Sequence, residues 1–236
     1  MTESNGVTIE VTIAAAPEVV WQALRDPDLI RRWHGWVVEG LEEEVDFIYR
    51  KSVSLDDAAN YVFRTDNEDE FSLHPSDAGT VVRITRAPKG TTPEWDDWYD
   101  DITEGWTSFL AQLQFGIERH GLAERRTLML EGRLRDDADV RDTLHLNGLS
   151  VGDGHRSDLG FSGSVQLVGA NQTAVSVDDA GPGLLVVAKQ PINAQRPHGG
   201  SMIILTTYGL DDAEHAALQQ KWQSWWDAST SVDQPA

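Results

Sequence analysis

The chain contains no cysteine, so any chemistry in it rests on other side chains, and the candidates with a recognisable pattern are serine, histidine, carboxylate and aromatic residues. That absence excludes disulfides, thiolate nucleophiles, zinc fingers and iron–sulfur clusters together. Gly148-Leu149-Ser150-Val151-Gly152 matches G-x-S-x-G, the nucleophile elbow of serine hydrolases, and His198-Gly199-Gly200 is of the kind found in their oxyanion loops. Asp178 and His215 would complete a triad in chain order. The context opposes this reading. An elbow needs parallel βαβ units before it and an oxyanion loop ahead of the nucleophile, whereas here the preceding strands read as antiparallel and the glycine pair comes afterwards. A turn at Gly148 is the simpler expectation.

The seven histidines, His34, His74, His120, His145, His155, His198 and His215, include no pair at the i, i+3 or i, i+4 spacing of a helical metal site. Asp96, Asp97, Asp100, Asp101 and Glu104 crowd one segment. Calcium sites usually add loop carbonyls, so dipole complementation explains the crowd better and no metal is expected. No Walker-type loop or G-x-G-x-x-G follows a strand, so no nucleotide or other cofactor is expected. Nine tryptophans are the most informative feature, since aromatic walls either fill a core or line a site for a flat ligand. Arg83, between Val82 and Ile84, faces away from the apolar side of its strand, toward solvent or an anionic ligand.

These residues have to be positioned by a chain of 236 residues with 19 basic and 39 acidic side chains, a net charge of −20. The length suits one large or two small domains. The charge opposes binding to nucleic acid or an anionic membrane. No apolar run is long enough to span a bilayer. Met1–Asn5 lacks the basic and apolar regions of a secretion signal, so a soluble cytoplasmic protein is expected.

Val7, Ile9, Val11 and Ile13 alternate as a half-buried strand, and Pro17 opens a helix carrying Val20, Trp21 and Leu24. A short helix holds Leu29, Ile30 and Trp33. Strands are expected at Val45–Arg50, Tyr61–Phe63, Phe71–Leu73 and Val82–Ile84, with a hairpin turn at Ser76–Gly79. The strongest helix signal covers 93–120. Thr92 can cap it, Pro93 starts it, acids fill its first turns, Arg119 and His120 end it, and Gly121 follows. Trp98, Ile102, Trp106, Phe109, Leu113 and Ile117 give it one apolar face. Gly105 inside it suggests a close neighbour. The second half repeats the order loosely: a strand at Arg126–Glu131, a helix at Asp137–Leu146, strands at Leu149–Val151, Gly163–Val168, Ala174–Val177, Leu184–Ala188 and Met202–Thr207, then a helix capped by Asp211 and Glu214.

Val11-Thr12-Ile13-Ala14-Ala15-Ala16-Pro17 followed by Val20-Trp21-Gln22-Ala23-Leu24 resembles the opening of the SRPBCC (START-like) superfamily. It is most similar to the branch of homologues of the activator of Hsp90 ATPase (homologue 1-like). Asp26–Trp36, Asp77–Ile84 and Gly105-Trp106 through Leu113 follow in family order, so the resemblance covers residues 7–120. It implies an α+β helix-grip (Bet v 1-like) domain, an antiparallel sheet wrapped around a long C-terminal helix. Residues 1–122 would form that domain. Residues 123–230 would form a second, smaller helix-grip-like repeat, similar to an extension of some actinobacterial relatives, and 231–236 a disordered tail. The resemblance also implies a cavity wall at Trp33, Trp36, Phe47, Tyr61, Phe63, Trp106, Phe109 and Leu113, and a small hydrophobic or aromatic ligand inside. The strand region 37–75 is short and acidic (Glu42-Glu43-Glu44), a departure from the family that leaves the cavity's size open. Two other classes stay open: a co-chaperone-like domain meeting a protein partner through its acidic surface, and a cyclase- or hydrolase-type enzyme.

Overall fold

The computed structural model describes residues 6–91, 93–178, 182–194 and 196–230, with 93–95 described by backbone alone. The expected Thr92 cap and the tail 231–236 lie outside the described residues. The chain is α+β and divides into two compact units, Met1–Ala123 and Glu124–Ala236, each with its own apolar core.

Unit 1 opens with β1 (Thr8–Ile13), whose Ile9 and Ile13 point into the core while Thr8, Glu10 and Thr12 stay exposed. Pro17 starts α1 (Pro17–Arg25), which buries Val20, Ala23 and Leu24. The Asp26 side chain caps α2 (Pro27–Ile30) by accepting from the Asp28 N–H. Next comes α3 (Leu41–Asp46), which runs directly into a wide π-type turn, Phe47–Lys51. Here the structure corrects the sequence reading, which makes Val45–Arg50 a strand. Val45, Phe47 and Tyr49 fit a two-residue period, but Leu41, Val45 and Tyr49 fit a four-residue one, and these three are the buried set. The acids Glu42–Glu44 sit in the first turn, where a helix dipole favours them.

Four strands follow: β2 (Val53–Asp57), β3 (Val62–Thr65), β4 (Glu70–Ser76) and β5 (Gly79–Thr85). With β1 they form one antiparallel sheet in the order β1-β5-β4-β3-β2. β2 was not anticipated. It is the outermost strand, largely exposed, with a bulge between Val53 and Leu55, and its Asp56 meets Arg25 at 2.6 Å. The β4–β5 turn is as expected. Gly79 has φ +125°, and a Cβ there would lie 2.1 Å from the Ile13 carbonyl oxygen.

A 3₁₀ segment, Pro93–Trp98, leads into the long helix α4 (Tyr99–His120), whose 22 residues span about 33 Å. Gly121 closes it in the left-handed region. α4 is tied to β1 and the turn after it: the Gln114 amide donates to the Thr12 carbonyl at 2.9 Å, and Glu118 accepts from the Ala14 N–H at 2.8 Å. This is the helix-grip arrangement. Gly105 is not held by a tight contact, since a Cβ there would find only the Phe109 ring, at 3.8 Å.

Unit 2 repeats the plan. β6 (Arg125–Gly132) leads through a 3₁₀ turn (Arg135–Asp137) to a single turn of helix, α5 (Val140–Thr143). The longer helix expected over 137–146 does not form, because Asp136, Asp137 and His145 all take positive φ. Leu149–Val151, expected as a strand, lies in a turn. β7 (Gly154–Arg156), too short to read in advance, precedes β8 (Ser162–Val168), β9 (Gln172–Val177), β10 (Gly183–Gln190) and β11 (Gly200–Tyr208). The sheet order is β6-β11-β10-β9-β8-β7, all antiparallel and separate from the sheet of unit 1. α6 (Asp212–Ser229) begins with the expected capping box between Asp211 and Glu214. It buries Leu218, Trp222 and Trp226.

Candidate functional site

The site of interest in unit 1 forms where the chain leaving α2, the π-type turn after α3, and α4 converge. Trp33 is anchored first, its indole N–H donating to the Ala23 carbonyl at 2.9 Å. The next residue, His34, has no solvent exposure. Four aromatic rings surround it, with centroids at 4.7 Å (Phe109), 5.3 Å (Tyr49), 5.5 Å (Trp106) and 5.7 Å (Trp33). Phe63 and Phe71, stacked at 4.3 Å, extend the cluster from the sheet side, where Phe71 meets Trp106 at 5.0 Å.

Within this shell runs a polar chain. His34 Nε2 lies 3.3 Å from Glu44 Oε1, and His34 Nδ1 lies 3.0 Å from the Tyr49 hydroxyl. A carboxylate only accepts, so Nε2 carries the proton. In the neutral ring Nδ1 then accepts from the Tyr49 O–H. With a neutral ring the chain runs one way: Tyr49 O–H to His34, His34 N–H to Glu44. Its Glu44 end is open, with the side chain 49% exposed. The hydrogen bond from His34 holds the Glu44 carboxyl below its ordinary value. Burial, and then the Glu44 charge, push the Tyr49 phenol well above its own. Tyr49 is further fixed through its backbone, whose carbonyl accepts from Arg25 Nη1 at 2.9 Å.

The segment between α2 and α3 passes beside this cluster. Gly35 (φ +58°) and Gly40 (φ +92°) bracket it. It carries a partly exposed Trp36, 6.3 Å from Phe109, and the exposed Val37 and Val38. Gln112 of α4 donates to the Gly35 carbonyl at 3.1 Å.

A second polar feature closes the far end of β5. Arg86, 3% exposed, donates to Asp69 at 3.2 Å and, at 2.6 Å each, to the Tyr99 carbonyl and the Thr103 hydroxyl. A cavity of about 20 Å³ beside it, lined in part by Asn67, Asp69 and Tyr99, has room for a water molecule. Its role is to clamp the start of α4 to the sheet.

No family model matches the chain, and no curated protein matches it. Solved structures do. The di-domain ARO/CYC BexL from the BE-7585A biosynthetic pathway is 13% identical, covering 97% of this chain and 99% of its own, with a TM-score of 0.35. DynU16, from the dynemicin biosynthetic locus, is 16% identical over 95% of this chain and 96% of its own, with a TM-score of 0.32. NE0264 from Nitrosomonas europaea covers only 52% of this chain and all of its own, at 13% identity and a TM-score of 0.30. All three are distant likenesses.

Of the eight residues expected in a cavity wall, the fold gathers Trp33, Trp36, Phe63, Trp106 and Phe109 into one ring network. Leu113 is buried in the same core. Phe47 is not part of the wall. On its helical turn it points outward, 54% exposed. Tyr61 stands to one side, its ring against Trp21 and its hydroxyl donating to Glu18 at 3.0 Å. His34, Glu44, Tyr49 and Phe71 were missed. The one signal available was the spacing of Leu41, Val45 and Tyr49, which turns Glu44 and Tyr49 toward His34.

The hydrolase elements do not assemble as a nucleophile elbow. Gly148–Gly152 is a turn between α5 and β7, where Ser150 is exposed and its N–H donates to the Asp153 carboxylate at 2.8 Å. Asp178 and His198 are exposed. Arg83 pairs with Glu10 at 2.5 Å on the outer face of the sheet. Among the described residues no three histidine, aspartate or glutamate side chains converge as a metal site, and no helix is long and apolar enough to cross a membrane.

Proposed function

We propose that unit 1 is a START-like binding module that takes a small hydrophobic or aromatic molecule between its sheet and α4, and orients it with the Tyr49–His34–Glu44 chain. The motif spanning β1, Pro17 and α1 favours the activator of Hsp90 ATPase homologue 1-like branch of that superfamily. The observation that carries the reading is His34: an imidazole without solvent exposure, hydrogen-bonded at both nitrogens, inside a shell of four aromatic rings. A core built for stability alone gains little from such a chain, because apolar residues of the same volume would avoid its desolvation cost. A binding site does use it. Aromatic walls hold a flat molecule, and a few fixed polar groups orient it. The segment between Gly35 and Gly40, with Trp36, Val37 and Val38, would be its entrance.

Native mass spectrometry of protein from its own host, compared with the denatured sample, tests this. A released mass of a few hundred daltons is expected. Trp36→Ala should then weaken rebinding about tenfold, the loss of roughly 1.4 kcal/mol of contact, without lowering the melting temperature. A clean apo mass, together with no saturable tryptophan fluorescence change against a panel of flat aromatic compounds, would overturn the proposal. Trp106 is the poorer probe. It is so deeply packed that Trp106→Ala should cost about 3–5 kcal/mol of stability and confuse binding with folding.

A further inference from the structure

Asn147 and Gly148 stand side by side in the turn between α5 and β7, and both are exposed. The residues around them are not. Leu146 is 1% exposed, and Leu149 packs against the same core. The turn is thus pinned on both sides while its tip faces water. Gly148 has φ +83°, and a Cβ there would meet nothing within 4 Å. No residue among those described accepts a hydrogen bond from its N–H. The Asn147 amide is held at its nitrogen, Nδ2 donating to Asp142 Oδ1 at 2.5 Å. An exposed hydrogen bond of this kind holds a side chain loosely, because water competes for both partners. A side-chain amide therefore sits next to a backbone nitrogen that is solvated, unbonded and unscreened by any Cβ. The asparagines at 60, 67, 171 and 193 lack this setting: Tyr61, Glu68, Gln172 and Ala194 follow them, each with a Cβ that crowds the next nitrogen.

We propose that Asn147 is a site of spontaneous deamidation, a covalent modification that ages unit 2. The Gly148 nitrogen gives its proton to solvent and bonds to the side-chain carbonyl carbon of Asn147. The amide nitrogen leaves as ammonia, taking up a proton from water, and a cyclic imide remains. Water then adds to one of the two imide carbonyls and breaks that carbon's bond to nitrogen. Opening on the side-chain carbonyl gives aspartate, and opening on the main-chain carbonyl gives isoaspartate. A water is consumed and ammonia is released, with no change of oxidation state. The fold sets the consequence. A carboxylate at position 147 stands where the amide now meets Asp142, so a hydrogen bond becomes a like-charge contact. Isoaspartate also adds a carbon to the main chain between Leu146 and Leu149, whose places in the core fit the present chain length. Both products loosen the turn.

The test keeps the full chain, folded, in mildly alkaline buffer and digests samples with trypsin over time. Cleavage after Arg141 and Arg156 releases Asp142–Arg156, in which Asn147 is the one amide side chain. That peptide should gain the mass difference between amide and acid, faster at higher pH because the Gly148 nitrogen has to shed a proton. Gly148→Ala, which screens the nitrogen, should remove most of the gain. Asn147→Asp, which installs one product at once, should lower the urea midpoint. The proposal fails if the folded chain keeps its mass while the same chain in guanidinium chloride gains it, if neither gains it, or if a folded Gly148→Ala is modified as fast as the parent. If the alanine variant does not fold, the comparison of folded with unfolded parent decides alone. An unchanged midpoint in Asn147→Asp would overturn the claim that the modification loosens the fold.

Discussion

At the scale of single residues, Tyr49 and His34 carry the most consequence. Tyr49→Phe keeps the ring and removes only the hydroxyl that meets His34 Nδ1 at 3.0 Å, in a core shielded from water. That loss should cost about 1–3 kcal/mol, read as a lower urea midpoint. No change would mean that the hydrogen bond contributes nothing to folding. Acid should weaken the protein in two stages. His155, His120 and His215 have pKa values depressed by burial, so the folded state resists their protonation. Their contribution is complete above the ordinary value of 6.5 and is lost as pH falls below it, because the unfolded chain takes up protons first. Glu44 is a depressed carboxyl. Its contribution is present above 4.5 and disappears as pH falls through its lower folded value. A urea midpoint that declines from pH 7 to pH 5 and again below pH 4.5 is expected. A flat profile across the first window would exclude the histidine contribution, and His155→Leu should flatten part of it.

The elements offer cleaner tests, because their signals are local. Gly105→Ala in α4 should stabilise the protein by about 1 kcal/mol, since helix propensity improves and the new methyl group meets only ordinary contact with Phe109. A loss of stability would mean that the interior of α4 is tighter than its geometry. Asp211→Ala removes the capping box of α6 and should cost about 0.5–2 kcal/mol in chemical denaturation. Such features were legible in the sequence for the same reason. The acids and bases at the ends of α4, Gly121 after it, the Asp211–Glu214 pair and the Ser76–Gly79 turn each act within a few residues. Where two local patterns competed, the reading failed. Val45, Phe47 and Tyr49 alternate like a strand, and only packing of Leu41, Val45 and Tyr49 against the core decides for a helix. The helix expected over 137–146 was lost to three left-handed residues, Asp136, Asp137 and His145, that no composition rule marks. Of the candidate site, the tryptophans and phenylalanines were visible as a class. The polar chain was not, because it joins side chains 10 and 15 residues from His34 through a turn that was itself misread.

For the whole molecule the governing quantity is charge. A net −20 pushes the folded chain apart, and salt screens that repulsion by shortening the Debye length from about 30 Å at 0.01 M to about 8 Å at 0.15 M. The melting temperature should therefore rise over that range. A fall would show that ion pairs such as Arg25–Asp56 outweigh the repulsion. The same charge has a more local consequence at β2. An outermost strand presents unpaired backbone N–H and C=O groups, a template on which another molecule can add a strand of its own. β2 even offers an exposed Leu55 as an adhesive spot. The bulge spoils the regular spacing a newcomer would need, and Asp56 and Asp57 set two like charges against any identical strand that approaches. Replacing both with valine would remove that guard, and the chain should then assemble edge to edge into growing β-structured oligomers.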